Sequence, residues 1–498
     1  MKIKMPYLNL LLIFFLVGCS STRERMINAP QKILKTTKGG AVNAYNKLTK
    51  QKPLSKGVKA VDSVVIDSHV IGVAKRPVSS TYRLVAWTKG AAVDLVNPKA
   101  KLMRLTKPGE SVPEVNIEWS MDLEAFEEHL DKVVGAKRSN GTMGFLIGGE
   151  EFFPRLEDAL KEAKQSIDIR IFIFDNDDYG VRIADLLKEK DKEGVKIRVL
   201  LDGVGQIMGE GKVSATLPEG FESPGSMIKY LKKDSNIEVR QKPNPWFKAD
   251  HTKTIVIDET IMFTGGMNIG REYRYDWHDL MVEIEGPMVQ VMDEEFKLAW
   301  KHSGTLGDLA YFKGLFSKLK IEGDDLLPDI RPLFTRANNQ QIYKAQLEAI
   351  KFAKKYVYVS NAYFSDEGII NALIRARQRG VDVRVILPEK GNHEIMNKNN
   401  IVAANKMYDG GIRVFFYPGM THIKAAIYDG WMTTGSANFD KLSFRDNLEF
   451  NIATSNPEIV ERFKEELFEP DFEKSQEMKE KLKSGITEFI LEKIAEQL

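Results

Sequence analysis

At 498 residues with a formal net charge of +2, the chain can hold two core-bearing domains plus extensions, and it lacks the basic excess of a nucleic-acid binder. One cysteine rules out an intramolecular disulfide.

Lys2 and Lys4 precede an apolar run from Leu10 to Val17, followed by Gly18-Cys19-Ser20. The run is shorter than the roughly 20 apolar residues of a bilayer span, and its charged and apolar regions are those of a secretory signal. Residues 1–18 resemble a bacterial lipoprotein signal, whose cysteine is lipidated and becomes the first residue of the mature chain. Cys19, the only cysteine, sits at that point. Ser20 after it favours, in a Gram-negative cell, the outer membrane facing the periplasm. Removing residues 1–18 takes away both lysines and lowers the formal balance from +2 to 0. Residues 19–56, rich in Lys, Thr, Gly and Pro, read as a tether. Residues 57–140, with apolar patches at Val64-Val65-Ile66 and Trp119, read as a small accessory region.

Two stretches then replay one another. Ile167 to Phe174, a charged helical stretch and Gly194 to Leu201 have the order strand, helix, strand, repeated by Tyr356 to Val359, a helix through Arg375 to Arg379, and Gly380 to Leu387. Alternating strands and helices predict an α/β sheet in each half. From Gly194 to His251 is 57 residues, but from Gly380 to His422 only 42, so the first half carries an extra 15. The segment Gly203 to Pro224, with its glycines and prolines, is the expected place for them, as a loop near the site mouth or a tolerated surface loop.

A short pattern closes each replay: His251-x-Lys253-x4-Asp258 and, 171 positions on, His422-x-Lys424-x4-Asp429. Matching tails follow, Gly265-Gly266-x-Asn268 and Gly435-Ser436-x-Asn438. A random chain of this composition would hold on the order of 0.05 such matches. The apolar runs Thr254 to Ile257 and Ala425 to Tyr428 read as buried strands. Side chains alternate faces along a strand, so each histidine shares a pocket wall with its lysine, while Asp258 and Asp429, of opposite parity at the strand's end, are expected to fix turns or support the site.

A metal site is the obvious competitor for His with Asp, but a lysine two residues away repels a divalent ion. The same cation suits a phosphate oxygen. Two lysines and two asparagine amides can surround one phosphodiester, with one histidine attacking phosphorus and the other protonating the leaving alkoxide. Such histidines need orienting acceptors. Asp279 follows His251 by 28 positions and Glu449 follows His422 by 27; the alternative is that each carboxylate pairs with a nearby arginine such as Arg274 or Arg445. His278 and His302 lack the motif and read as ordinary polar residues.

The doubled motif resembles that of the phospholipase D superfamily, and the stretch from Gly419 to Asn451 is most similar to its bacterial cardiolipin synthase branch. The resemblance covers roughly residues 141–470; the first motif has Asp250 before its histidine, where that branch often has Asn. It implies two similar domains, 141–325 and 326–470, each a mixed β-sheet flanked by helices, packed around one shared active site. It also implies a phosphohistidine intermediate on His251, His422 as general acid, Lys253, Lys424, Asn268 and Asn438 with Gly266 and Ser436 around the phosphate, and Asp279 and Glu449 as histidine orienters, with no cofactor and no metal. Both the neutral balance and the lipid anchor favour a membrane phospholipid over nucleic acid as substrate. The alternatives are a phosphodiesterase or nuclease of the same superfamily and a catalytically silent envelope scaffold. Trp246-Phe247 either touches acyl chains or forms a core pair. Residues 471–498, with Ile486, Phe489, Ile490, Ile494 and Leu498 at helical spacing, predict an amphipathic helix, more in keeping with docking on the protein than with lying on a membrane surface.

Overall fold

The computed structural model describes residues 118–483, except 212, 243, 245–247, 305–306, 308–325, 337–338 and 393, together with 80 and 112–115. Cys19, the tether, Val64 to Ile66, Trp246, Phe247 and the apolar positions from Ile486 to Leu498 lie outside the described residues.

Helix α1 (Leu123–Val133) and the short strand β1 (Ser139–Asn140) come first. The first sheet then holds β2 (Thr142–Ile147), β3 (Ser166–Ile171), β4 (Lys196–Asp202), β5 (Glu238–Lys242), β6 (Thr254–Ile257), β7 (Ile261–Gly265) and β8 (Leu280–Glu285) in the order β2-β8-β7-β6-β3-β4-β5. β3, β4 and β5 pair in parallel and the remaining neighbours antiparallel. The second sheet holds β9 (Asp329–Arg336), β10 (Asn339–Gln340), β11 (Tyr356–Asn361), β12 (Asp382–Pro388), β13 (Arg413–Tyr417), β14 (Lys424–Tyr428), β15 (Trp431–Gly435), β16 (Glu449–Thr454) and β17 (Gln476–Glu477). Its central path, β9-β16-β15-β14-β11-β12-β13, repeats the order of the first sheet strand for strand. Two mixed α/β sheets of one topology are what the replayed pattern predicts.

Strand periodicity sorts the side chains into layers. Ile167, Ile169 and Ile171 of β3 meet Phe152, Phe153 and Leu156 of α2 (Gly149–Glu162) and Ile183 and Leu187 of α3 (Asp178–Lys192). Val357 and Val359 of β11 do the same in the second half, against α7 (Gln341–Phe352) and α8 (Glu367–Gln378). The opposite faces meet each other. Val256, Met262, Val282 and Ile284 of the first sheet share one buried cluster with Ala425, Ile427, Met432 and Ile452 of the second. Both halves therefore belong to one compact unit.

Three sequence expectations need correction. Gly203–Glu210 is not a loop but helix α4, because the Asp202 carboxylate caps it by accepting from the Val204 and Gly205 amides at 2.9 and 2.7 Å. Gly205 also lets the helix press against Phe172, where a Cβ would lie 2.5 Å from the ring. The irregular part is confined to the stretch between α4 and α5 (Met227–Lys232); the second half carries the single helix α9 (Glu394–Asp409) between its equivalent strands.

The C-terminal amphipathic helix does not start at residue 471. Helix α11 (Glu469–Lys474) leads into β17, which pairs antiparallel with β13 and extends the second sheet, and Glu477 takes Arg413 at 2.8 Å. Nor is the end of the accessory region separate from the second half. Phe126 of α1 is fully buried edge-on to Trp431 at 5.4 Å, and Arg331, 1% exposed, reaches the Glu127 carboxylate and the Ala136 carbonyl. Trp119, by contrast, is exposed.

Candidate active site

Each histidine sits just ahead of its strand, on a segment that pairs with the other half. Asp250 forms a parallel bridge with Leu448, and Thr421 with His278. The His251 amide donates to the Leu448 carbonyl at 2.9 Å, and the His422 amide to the His278 carbonyl at 2.7 Å. The bridges set His251 beside Glu449 and His422 beside Asp279. His251 Nδ1 lies 3.1 Å from Glu449 Oε2, and His422 Nδ1 lies 2.7 Å from Asp279 Oδ2. The near-equal spacings of 28 and 27 thus run from each histidine to the carboxylate that faces its counterpart. Neither carboxylate pairs with the nearby arginines: Arg274 binds Glu150 at 2.6 Å and Arg445 lies 3.6 Å from Asp366.

A carboxylate on Nδ1 fixes that nitrogen as the one bearing hydrogen and leaves the lone pair on Nε2. Both imidazoles have lowered proton affinity. Burial dominates at His422, Lys424 adds to it, and Asp279 opposes it only partly, leaving a pKa of about 3. Burial also lowers His251, against the opposing pull of Glu449. Lys253 and Lys424, 1% and 2% exposed, donate to the carbonyls of His251 and His422. Burial pushes Lys253 down to about 7 and Lys424 to about 8. Three buried groups and the partly buried His251, all resisting positive charge, surround a site suited to an anion, because a negative ligand among them raises the proton affinity of all four.

The remaining motif residues divide. Asn268 Oδ1 accepts from the Ile173 amide at 3.1 Å and its Nδ2 donates to the Tyr273 hydroxyl at 2.6 Å, which fixes the orientation of the amide. Asn438 keeps a buried Oδ1 with no hydrogen-bond partner among the described residues. Gly266 and Ser436 stand against the carboxylates. A Cβ at Gly266 would lie 2.1 Å from Asp279 Oδ1, and Ser436 Oγ donates to Glu449 Oε2 at 2.5 Å. Asp258 and Asp429 stand at the far ends of β6 and β14, with φ of 52° and 53°. Asp258 accepts the amides of Lys164, Gln165 and Ser166, and Asp429 those of Met121, Lys354, Lys355 and Tyr356. These two are turn anchors, away from the histidines.

Other contributors carried weaker sequence signals. Phe172 packs edge-on to His251 at 4.9 Å, while Tyr273, Trp277 and Tyr363 surround His422 at 5.7, 5.4 and 6.1 Å. Asp250, next to His251, is clamped by Arg170 at 2.9 Å and Lys242 at 2.6 Å, and its amide donates to Asp202 at 2.7 Å. A charged residue inside the apolar run of β3 was the available hint of that clamp. His278 stacks on Tyr417 at 4.4 Å with Nε2 2.9 Å from Asp471, and its carbonyl anchors His422. Among the described residues, no group of three or more His, Cys, Asp or Glu is arranged to hold a metal ion, and no helix is long and apolar enough to cross a membrane.

With this geometry in view, the chain matches the family described as "Cardiolipin synthase, PLD-like domain" twice, over residues 156–300 and 347–470. It belongs to the phospholipase D superfamily, as a cardiolipin synthase-like member. Each match covers most of one of the two repeated sheets and carries one His-Lys pair. Cardiolipin synthase A of Pseudomonas syringae is 31% identical over 68% of this chain and 70% of its own length. The enzyme of that name from Pseudomonas fluorescens is 29% identical over the same shares, and a cardiolipin synthase of Listeria welshimeri is 28% identical over 67% of this chain and 69% of its own. The fold is similar to that of a phosphatidylserine synthase from Haemophilus influenzae, with a TM-score of 0.58, 13% identity, and coverage of 75% of this chain and 96% of that one.

Proposed function

We propose that this phospholipase D-like enzyme transfers a phosphatidyl group between membrane lipids, as a cardiolipin synthase does. The observation that carries the reading is the crossed pair of His–carboxylate dyads flanked by two buried lysines. His251, 13% exposed against 5% for His422, is the nucleophile. Its Nε2 attacks phosphorus, a phosphorus–nitrogen bond forms, and the bond to the first alcohol breaks. That alcohol leaves with a proton from His422, which is protonated in the complex because the bound anion raises its pKa. An incoming hydroxyl then returns a proton to His422 and displaces His251. Lys253 and Lys424 hold the non-bridging oxygens, and Glu449 and Asp279 keep the imidazoles aligned.

Names of the relatives and the complete motif in both halves support a lipid substrate. The resemblance at residues 1–18 supports anchoring through Cys19, in the outer membrane if the cell is Gram-negative. The test is to incubate purified protein with phosphatidylglycerol vesicles, and separately with DNA, comparing wild type with His251→Ala and His422→Ala. Cardiolipin plus glycerol is the expected product, lost in both variants. Phosphatidic acid alone would make the enzyme a hydrolase, nicked DNA would make it a nuclease, and no product would sink the lipid assignment.

A further inference from the structure

The two halves are not chemically equivalent at the end of their central strands. Asn361 closes β11, is fully buried, and pairs in register with Lys424 of β14. Cross-strand partners share a face with their Cβ atoms within about 5.5 Å of each other, so the amide stands beside the lysine of the site. The first-half position of the same rank, Ile171, is apolar and buried in the core. An amide has replaced a core side chain only on the His422 side.

Its orientation is fixed by the backbone. Asn361 Oδ1 accepts the Tyr363 amide at 3.2 Å and the Phe439 amide at 3.0 Å, so Nδ2 is the free end, and it has no hydrogen-bond partner among the described residues. In the first half the corresponding amide, that of Ile173, goes to Asn268. Here Asn361 has taken it over, which leaves Asn438 Oδ1 unsatisfied as well. Buried donors without partners are rare in folded proteins because each forfeits its hydration, and one beside a buried cation marks a place where a ligand oxygen supplies the missing bond.

We propose that Asn361 is a further substrate-binding residue, whose Nδ2 donates to a non-bridging oxygen of the phosphodiester next to Lys424. The assignment rests on the phosphodiester reading of the site. It makes the second half's contribution Lys424 plus an amide from β11, whereas the first half contributes Lys253 beside an apolar Ile171. The phosphate is thereby held unequally by the two halves.

Orthovanadate binding, followed by calorimetry on the full chain, tests this without relying on turnover. Asn361→Asp retains both backbone bonds to Oδ1 and replaces the donor with an acceptor; Asn361→Ile installs the first-half residue. Both should weaken orthovanadate binding about 10- to 100-fold, the range for a hydrogen bond to a charged group, with Asn361→Asp keeping the thermal midpoint of the free protein. A purely structural amide would shift the midpoint of Asn361→Ile and leave anion affinity unchanged. Folded Asn361→Asp, or Asn361→Ile if the former does not fold, binding orthovanadate within about twofold of wild type overturns the assignment alone. Wild-type protein that binds no orthovanadate overturns it together with the phosphodiester reading.

Discussion

Glu449 and Asp279 each serve a histidine of the opposite half, and this crossing makes their roles separable by experiment. If His422 is the acid, it matters only when the leaving alkoxide needs a proton. With a phosphatidyl p-nitrophenyl ester, whose leaving group needs none, His422→Ala and Asp279→Asn should release p-nitrophenol in the first turnover within about tenfold of wild type. Glu449→Gln and His251→Ala should remain at least about 100-fold slower. The reverse pattern would exchange nucleophile and acid. The lysines set the response to pH. Lys253 and Lys424 are cationic in the empty site only below about 7 and about 8, so kcat/KM should fall as pH rises through that window. On the acid side activity holds until His251 takes up a proton, below its usual range because burial disfavours the charge. Lys253→Arg, which stays charged, should move the alkaline limb upward, and an unmoved limb would assign it to another group.

At the scale of elements, the turn after β14 shows how much stability one motif aspartate holds. Asp429 is 2% exposed, adopts left-handed backbone, and accepts four backbone amides that join α1, the start of β11 and its own turn. Asp429→Ala leaves those donors unpaired and should destabilise the fold by about 3 kcal/mol or more, read from urea unfolding. Asp429→Asn, which tolerates the same backbone and keeps one acceptor, should cost about half as much. Equal stability of the two variants would mean that water replaces the carboxylate. Strands, their parity and the aspartate turns were legible in the sequence because strand period and apolar runs are local properties. The helix Gly203–Glu210 was misjudged as a loop because three glycines mask its periodicity, while its cap, Asp202, belongs to the preceding strand. The contacts of Gly266 and Ser436 with Asp279 and Glu449 are not legible locally, since they arise only once β8 and β16 pair with β7 and β15.

For the whole molecule, one apolar layer welds the two sheets together, and Ile427 at its centre is fully buried. Ile427→Asp should destabilise the full chain by about 4 kcal/mol or more and abolish activity, since it separates each histidine from its carboxylate as well as unfolding the core. Retained activity with a lowered unfolding midpoint would show that the strand bridges at Asp250–Leu448 and Thr421–His278 hold the site without the layer. The repeat, the strands that carry it and the paired His-Lys motifs are all legible in the sequence, because each depends on residues a few positions apart. Pairing of the sheets in space sets which carboxylate faces which histidine and adds residues 121–140 to the second half. Those features depend on chain segments more than a hundred positions apart being brought together by a shared hydrophobic layer, and apolar burial does not encode in any short window which polar groups it will juxtapose.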